Sequence, residues 1–224
     1  MMRSMSERPT LSGRLRSDTR GAHERAERCA LMQRLLAGRL PLADYRRLLE
    51  QFQALYDALE SALSRLAEHP LVSRLDHQAL RRGPALADDL RHLHTLAPPQ
   101  GPGPLVPATQ AYVDRLQHLG RHDPPRLLAH AYVRYLGDLY GGQMVGRRLR
   151  EQHGLGDNQG THFYDFGDAA RVRSLIGGFR AALDGLALTP TEADAVVAEA
   201  CEAFDRHQQI FDQLLPAPEA APGL

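Results

Sequence analysis

In the stretch "LADYRRLLEQFQALYDALESALSRLAE", residues 42–68, apolar side chains recur at Leu42, Tyr45, Leu48, Leu49, Phe52, Leu55, Tyr56, Leu59 and Leu63. Steps of three and four residues place them on one broad face of a helix ~40 Å long. Similar stripes run through residues 108–119, 126–149, 170–186 and 191–215. No alternating run is bounded by hairpin signals, so the expected fold class is all-α with strand content near zero.

The breaks between stripes carry the expected turn chemistry. "AGRLPL" ends one helix and opens the next, with Pro41 near its first turn. "APPQGPGPLVP", residues 97–107, is too rich in Pro and Gly for a helix and reads as a stiff surface connection. "GRHDPP" and "HGLGDNQGTHFYDF" are further breaks. Thr189, followed by Pro190 and by Glu192 at the third helical position, spells a capping box for the last helix. These boundaries predict one helical domain over residues 11–215, with frayed segments at 1–10 and 216–224. No repeat of solenoid length is present.

One stripe is anomalous. "AYVRYLGDLYGGQMVGRRLR", residues 131–150, holds Gly137, Gly141, Gly142 and Gly146 among good helix formers. Each glycine costs a helix up to ~1 kcal/mol relative to Ala, so room left by the missing side chains is the expected gain. Gly137, Gly141 and Gly142 are expected on roughly one face, with a bend at the Gly-Gly pair.

Composition narrows the function classes. The 224 residues are 43% hydrophobic and 24% charged, ordinary values for a globular protein. All 27 basic residues are Arg and the formal net charge is zero, so bulk charge makes no case for nucleic acid or an anionic membrane. The distribution is uneven: residues 1–50 hold eleven Arg against six acids, whereas residues 190–224 hold one Arg against seven. The basic segment suits an anionic ligand or partner, or is simply a solvated surface. Cys29 and Cys201 form no disulfide framework. No apolar run resembles a signal peptide or approaches the ~20 residues of a membrane span, and a cytoplasmic location is expected.

The eleven His form no HExxH box, and no CxxC, GxSxG or phosphate-binding loop occurs. In "LRSDTRGAHERAERCALM", His23 and Glu27 lie four apart on one helical face. A carboxylate there can accept a hydrogen bond from the imidazole, directly or through water, and strengthen it as a metal ligand. Alone, such a pair is equally surface decoration. Set opposite a helix whose backbone is laid bare by glycine, an axial His suits a flat macrocycle such as haem. Close packing of two helices with no ligand is the other reading of the same spacing.

At this point the residues resemble a known family. "AHAYVRYLGDLYGGQ" resembles the signature of the haem oxygenases, and "AHERAE" resembles their proximal-histidine segment. The similarity continues in family order through "YDALE", "AYVDRLQHLG", "FYDF", "LALTP" and "FDRHQQIFDQL". The resemblance implies a single all-α domain with haem, both substrate and cofactor, sandwiched between two helices. It implies His23 as the iron ligand supported by Glu27, and a distal face lined by Gly137, Gly141 and Gly142. The family's distal Asp falls on Asp138, which would hold a water that delivers protons, and its supporting Arg on Arg134. Tyr56 and Tyr112 match tyrosines of the distal hydrogen-bond network. Tyr132 and Arg180 match groups that hold the propionates, Arg16 takes a usually basic position, and Phe204 and Phe211 match apolar pocket residues.

The implied activity is oxidative cleavage of haem to biliverdin, carbon monoxide and ferrous iron. It uses dioxygen and electrons from a reductase, ferredoxin or flavoprotein. A non-catalytic haem carrier or sensor, or a helical enzyme of the same fold acting on another substrate, are the alternatives. Several positions depart from the family pattern. Tyr140 stands where Ser is frequent and His207 where Asn is frequent. Ser174 and Ile176 stand where some relatives have Lys. Haem seating, and with it the meso carbon cleaved, is the property these departures touch.

Overall fold

The computed structural model describes residues 9–99, 105–157 and 159–215. The expected C-terminal tail, most of the N-terminal one, and residues 100–104 of the Pro/Gly connection lie outside the described residues. The helices are α1 (Leu11–Asp18), α2 (Arg20–Glu27), α3 (Ala30–Leu36), α4 (Leu42–Arg65), α5 (His77–Leu80), α6 (Gly83–Leu96), α7 (Pro107–His122) and α8 (Pro124–Ala131). A π-helical turn (Tyr132–Leu136) follows, then α9 (Gly137–His153), a 3-10 turn (His162–Tyr164), α10 (Ala169–Asp184) and α11 (Pro190–Leu214). No strand occurs among the described residues.

Local chemistry accounts for the ends of these elements. Thr10 accepts from the Gly13 amide at the start of α1, and Asp168 accepts from the Arg171 amide at the start of α10. Both halves of the Thr189–Glu192 capping box are formed. Gly154, with φ of 63°, closes α9 in the left-handed conformation open to glycine. Helix α4 stops at Arg65, short of the expected 68, and gives way to turns. Pro70 lies just beyond: it has no amide to donate, and its ring disfavours helical geometry at His69.

The stripe read from residues 42–63 is the spine of the core. Tyr45, Leu49, Tyr56 and Leu63 are all fully buried. Helix α4 packs against α6 and α7, while α11 packs against α8, α2 and α7. At Gly120 of α7 a Cβ would stand 2.7 Å from the Ala62 Cβ, so α4 and α7 approach closely only because that position carries no side chain.

The uneven charge finds part of its explanation inside the fold. Arg14 of α1 pairs with Asp194, and Arg25 of α2 with Asp205, each at 2.7 Å. The Ser12 amide and hydroxyl both donate to Asp184, at 2.8 and 2.9 Å. Such exposed ion pairs contribute under ~1 kcal/mol each, but they fix how the basic N-terminal helices lie on the acidic last helix. Among the described residues, no helix is long and apolar enough to cross a membrane.

Candidate functional site: a slot beside the glycine helix

The helical run from Pro124 to His153 is continuous, but its irregularity is not at the Gly-Gly pair. Helix α9 passes through Gly141 and Gly142 as regular α-helix, and the widened turn lies earlier, at Tyr132–Leu136. A π turn inserts an extra residue and so rotates everything after it by about 100°. The hydrogen-bonding irregularity thus precedes the Gly-Gly pair by about two turns.

Asp138, one residue into α9, is buried. Its Oδ1 accepts from Arg134 Nη2 at 2.9 Å, and its Oδ2 accepts a short hydrogen bond from the Tyr56 hydroxyl. Arg134 Nε also donates to the Tyr56 oxygen at 3.2 Å, and its guanidinium lies 4.4 Å above the Phe52 ring. Burial pushes the Asp138 carboxyl above its ordinary pKa, against the pull of Arg134 and Tyr56. Burial also works against the Arg134 charge, but Asp138 and Tyr56 outweigh it and its pKa is raised. The i,i+4 pair of Arg134 and Asp138 is therefore internal and is completed by an aromatic hydroxyl from α4.

A second buried chain lies beside the first, and sequence reading found only its Tyr112. The Tyr112 hydroxyl contacts His130 Nδ1 at 2.8 Å, His130 Nε2 contacts Glu199 Oε1 at 2.9 Å, and Glu199 is clamped by Arg115 Nε and Nη2 at 3.0 and 2.5 Å. Glu199 can only accept, so His130 is protonated on Nε2 and Tyr112 donates to its bare Nδ1. The signal for this chain was a His directly inside the quoted "AHAYVRY" segment. His207 packs edge-on against Tyr112, with ring centroids 5.0 Å apart. Its Nδ1 is 2.7 Å from the Ala203 carbonyl, and its buried Nε2 has no partner. Burial, with Arg134 nearby, holds its pKa well below the ordinary value, so the ring is neutral.

The four glycines of α9 divide into two rows. Where a Cβ would stand at Gly142 or Gly146 it meets the Tyr164 side chain, at 3.3 and 3.2 Å; at Gly137 and Gly141 it meets nothing within 4 Å. At about 100° per residue, Gly137 and Gly141 are close to aligned, while Gly142 is turned well away from them. The single face expected for Gly137, Gly141 and Gly142 is thus corrected: Gly142 turns toward Tyr164. Finding that split needed the position of Tyr164, which "FYDF" alone does not give.

His23, on α2, is half exposed and makes an edge-on contact with Phe204 of α11, centroids 5.4 Å apart. Its Nε2 lies 3.6 Å from Glu27 Oε1, beyond hydrogen-bond distance, so the pair is adjacent without a direct hydrogen bond. Phe211 sits apart from His23, buried against Phe52 and near His207. Burial raises the Tyr132 pKa against a hydrogen bond with Thr19, and the charges of Arg180 and Arg16 act on the same hydroxyl. Thr19 is the N-cap residue of α2, and its carbonyl accepts from the His23 amide. From the Thr19–Tyr132 neighbourhood, one turn along each chain leads to His23 and to Gly137.

These residues fit a flat, dianionic, metal-bearing ligand. Gly137 and Gly141 leave a bare strip of helix, His23 offers an uncommitted ring nitrogen, and two Arg with a Tyr match a pair of carboxylates. A separate surface cavity of about 420 Å³ lies between α4 and α7, lined by Asp57, Ser61, Arg65, Gln117 and Arg121 among others, and includes none of the predicted site residues.

The fold class is an all-α protein whose glycine helix presents a bare strip at Gly137 and Gly141. The comparisons with known proteins make the class specific. The family model described as "Heme oxygenase" matches residues 9–213. The chain is 34% identical to Heme oxygenase 1 of Nostoc sp., covering 91% of this chain and 85% of the relative. The crystal structure of heme oxygenase-1 from the cyanobacterium Synechocystis sp. in complex with heme superposes with a TM-score of 0.85 at 30% identity, covering 92% of each chain. The heme oxygenase of Leptospira interrogans gives 0.85 at 32% identity, covering 91% of this chain and 99% of the other. The chain belongs to the haem oxygenase family.

Proposed function

We propose that the protein binds haem between α2 and α9 as both substrate and cofactor. It opens the ring to biliverdin, carbon monoxide and ferrous iron, using dioxygen and electrons from a separate reductase, ferredoxin or flavoprotein. One observation carries the residue assignment: from the hydrogen-bonded Thr19–Tyr132 pair, His23 with its uncommitted imidazole lies one turn along one helix, and the bare strip begins one turn along the other at Gly137 and continues at Gly141. Bound haem supplies the redox chemistry and is itself the carbon skeleton oxidised.

The chain's own residues do the rest. His23 would hold the iron through a ring nitrogen, with Phe204 bracing the imidazole from α11. Tyr132, Arg16 and Arg180 orient the two carboxylates. Gly137 and Gly141 present only backbone on the open face, so they would offer bound haem no acid–base side chain. Asp138 acts from one layer back: with Tyr56 and Arg134 holding its two oxygens, its remaining acceptor capacity holds a water that passes protons toward the slot. We assign Gly142 to packing and Phe211 to the core beside this network. Two free thiols, Cys29 and Cys201, suit a reducing compartment, and we place the protein in the cytoplasm.

The test begins with haemin titration into the purified chain, followed by a reductant under oxygen. A Soret band that decays into a red-absorbing pigment is the expected result; a band that persists unchanged leaves a carrier. His23→Ala should lose the spectrum of histidine-ligated ferric iron. Because the side chain is half exposed, its stability should stay within ~0.5 kcal/mol. An unchanged ferric spectrum in that variant would overturn the ligand assignment.

A further inference from the structure

Tyr140 is 63% exposed and Met144 55% exposed, unusual for large apolar side chains in the middle of a helix. Both lie on the open side of α9. At about 100° per residue, Gly137, Tyr140, Gly141 and Met144 fall within an arc of about 100°, with Tyr140 at one edge of the bare strip. No hydrogen bond or ring contact involving Tyr140 is formed within the described residues. Its charge state, like the charges of Arg16 and Arg180, acts on the Tyr132 hydroxyl. An aromatic ring has 150–250 Å² to bury, and here it stands at the rim of a slot that fits a flat macrocycle.

We propose that Tyr140 is a specificity-determining wall of the haem slot, its ring limiting in-plane rotation of the porphyrin and so selecting the meso edge that is opened. The inference rests on the haem oxygenase reading above. The polar grip comes from Tyr132, Arg16 and Arg180, which hold two carboxylates but leave the ring free to pivot about them. A rigid aromatic edge beside that pivot makes one seat clash or lose contact while the other gains it. The ring, and not the hydroxyl, is the operative part.

The experiment compares the parent chain with Tyr140→Ser and Tyr140→Phe. Proton spectra of the cyanide-ligated ferric haem complexes report the ratio of in-plane seats through the haem methyl resonances, without turnover. Biliverdin isomers from a single turnover provide the second readout. Tyr140→Ser should raise the minor seat about tenfold, the shift that loss of one aromatic contact can give, with isomer proportions following. Tyr140→Phe should match the parent in both. A seat ratio unchanged in Tyr140→Ser overturns the proposal, as does a Tyr140→Phe variant that behaves like Tyr140→Ser. Absence of any Soret band in the parent sinks the haem reading and the proposal with it, whereas an intact band with unmoved methyl resonances sinks the proposal alone.

Discussion

Two sides of one helix use the same residue for opposite purposes. On the side of α9 that meets Tyr164, the absence of side chains at Gly142 and Gly146 lets protein approach protein. On the other side, Gly137 and Gly141 leave space that nothing among the described residues fills, and the large side chains nearby, Tyr140 and Met144, are exposed. Buried polar groups follow the same division: Asp138, Tyr56 and Arg134 satisfy one another inside, while His23 keeps a nitrogen free at the surface. On the function proposed above, stability is concentrated behind the helix and ligand chemistry in front of it, so substitutions on the two sides should separate fold from function.

The largest effect should come from the buried pair. Asp138→Ala leaves Arg134 and the Tyr56 hydroxyl without the carboxylate they share in a buried site, and removing one member of a buried ion pair costs about 3–5 kcal/mol. Urea unfolding should show that loss, with Asp138→Asn milder because an amide oxygen still accepts. Haem should still bind to folded Asp138→Ala, with ring opening slowed. A fall below ~1 kcal/mol in Asp138→Ala would mean that the pair is far wetter than its burial implies.

Next in size are the closed glycines. Gly146→Val puts a branched side chain where even a Cβ would lie 3.2 Å from the Tyr164 Cβ, so a loss of ~1–3 kcal/mol is expected from overpacking. Combining it with Tyr164→Ala should recover part of that loss, a non-additivity that only contacting residues show. Strict additivity in the cycle would remove Tyr164 as the reason for the glycine.

Acid should weaken the packed side first. His130 and His207 are buried with pKa values held below the ordinary 6.5, chiefly by burial. The unfolded chain takes up protons there that the folded chain refuses, so their contribution is present above pH 6.5 and is lost as pH falls. Each contributes a slope of up to ~1.4 kcal/mol per pH unit. Burial pushes Glu199 up, but His130 and Arg115 outweigh it and hold it at about 2, adding a further loss below its ordinary 4.5. Asp89, raised to about 6 by burial, and Asp138, also raised by burial, oppose this: their neutral forms are favoured in the folded state, so falling pH returns some stability, for Asp89 between about 6 and 3.8. The net expectation is a denaturation free energy that drops below pH 6.5, with a shallower drop in His207→Asn. A flat profile to pH 5 would contradict the buried neutral histidines.

Much of this architecture was legible in the chain, for identifiable reasons. The α4 stripe, the Thr189–Glu192 cap and the breaks at Pro41 and Asp123–Pro124 are local signals, and local chemistry decides them. Contacts between distant elements were not legible. Which glycines are covered depends on a 3-10 turn that is itself pinned by Asp89, whose carboxylate accepts from the His162 and Phe163 amides at 2.8 and 2.7 Å. The π turn has no composition of its own. The basic N-terminal segment, open to an outside partner on sequence, in part meets the chain's own acidic α11 through Arg14 and Arg25.

The smallest effect on stability has the opposite sign, and it bears hardest on the comparison. Gly141→Ala adds a Cβ that meets nothing within 4 Å, so no clash offsets the gain in helix propensity of up to ~1 kcal/mol. The variant should be slightly more stable than the parent. If that empty space belongs to haem, the same methyl projects into the slot, and haemin affinity or the ferric spectrum should change while the fold tightens. Gly142→Ala is the matched control: its Cβ would meet Tyr164 at 3.3 Å, so propensity and crowding work against each other and the haem spectrum should stay as in the parent. Thermal melts and haemin titrations of the two alanine variants, one residue apart, therefore decide whether the open face is a ligand surface. A spectrum altered by Gly142→Ala and untouched by Gly141→Ala would place haem on the wrong side of the helix.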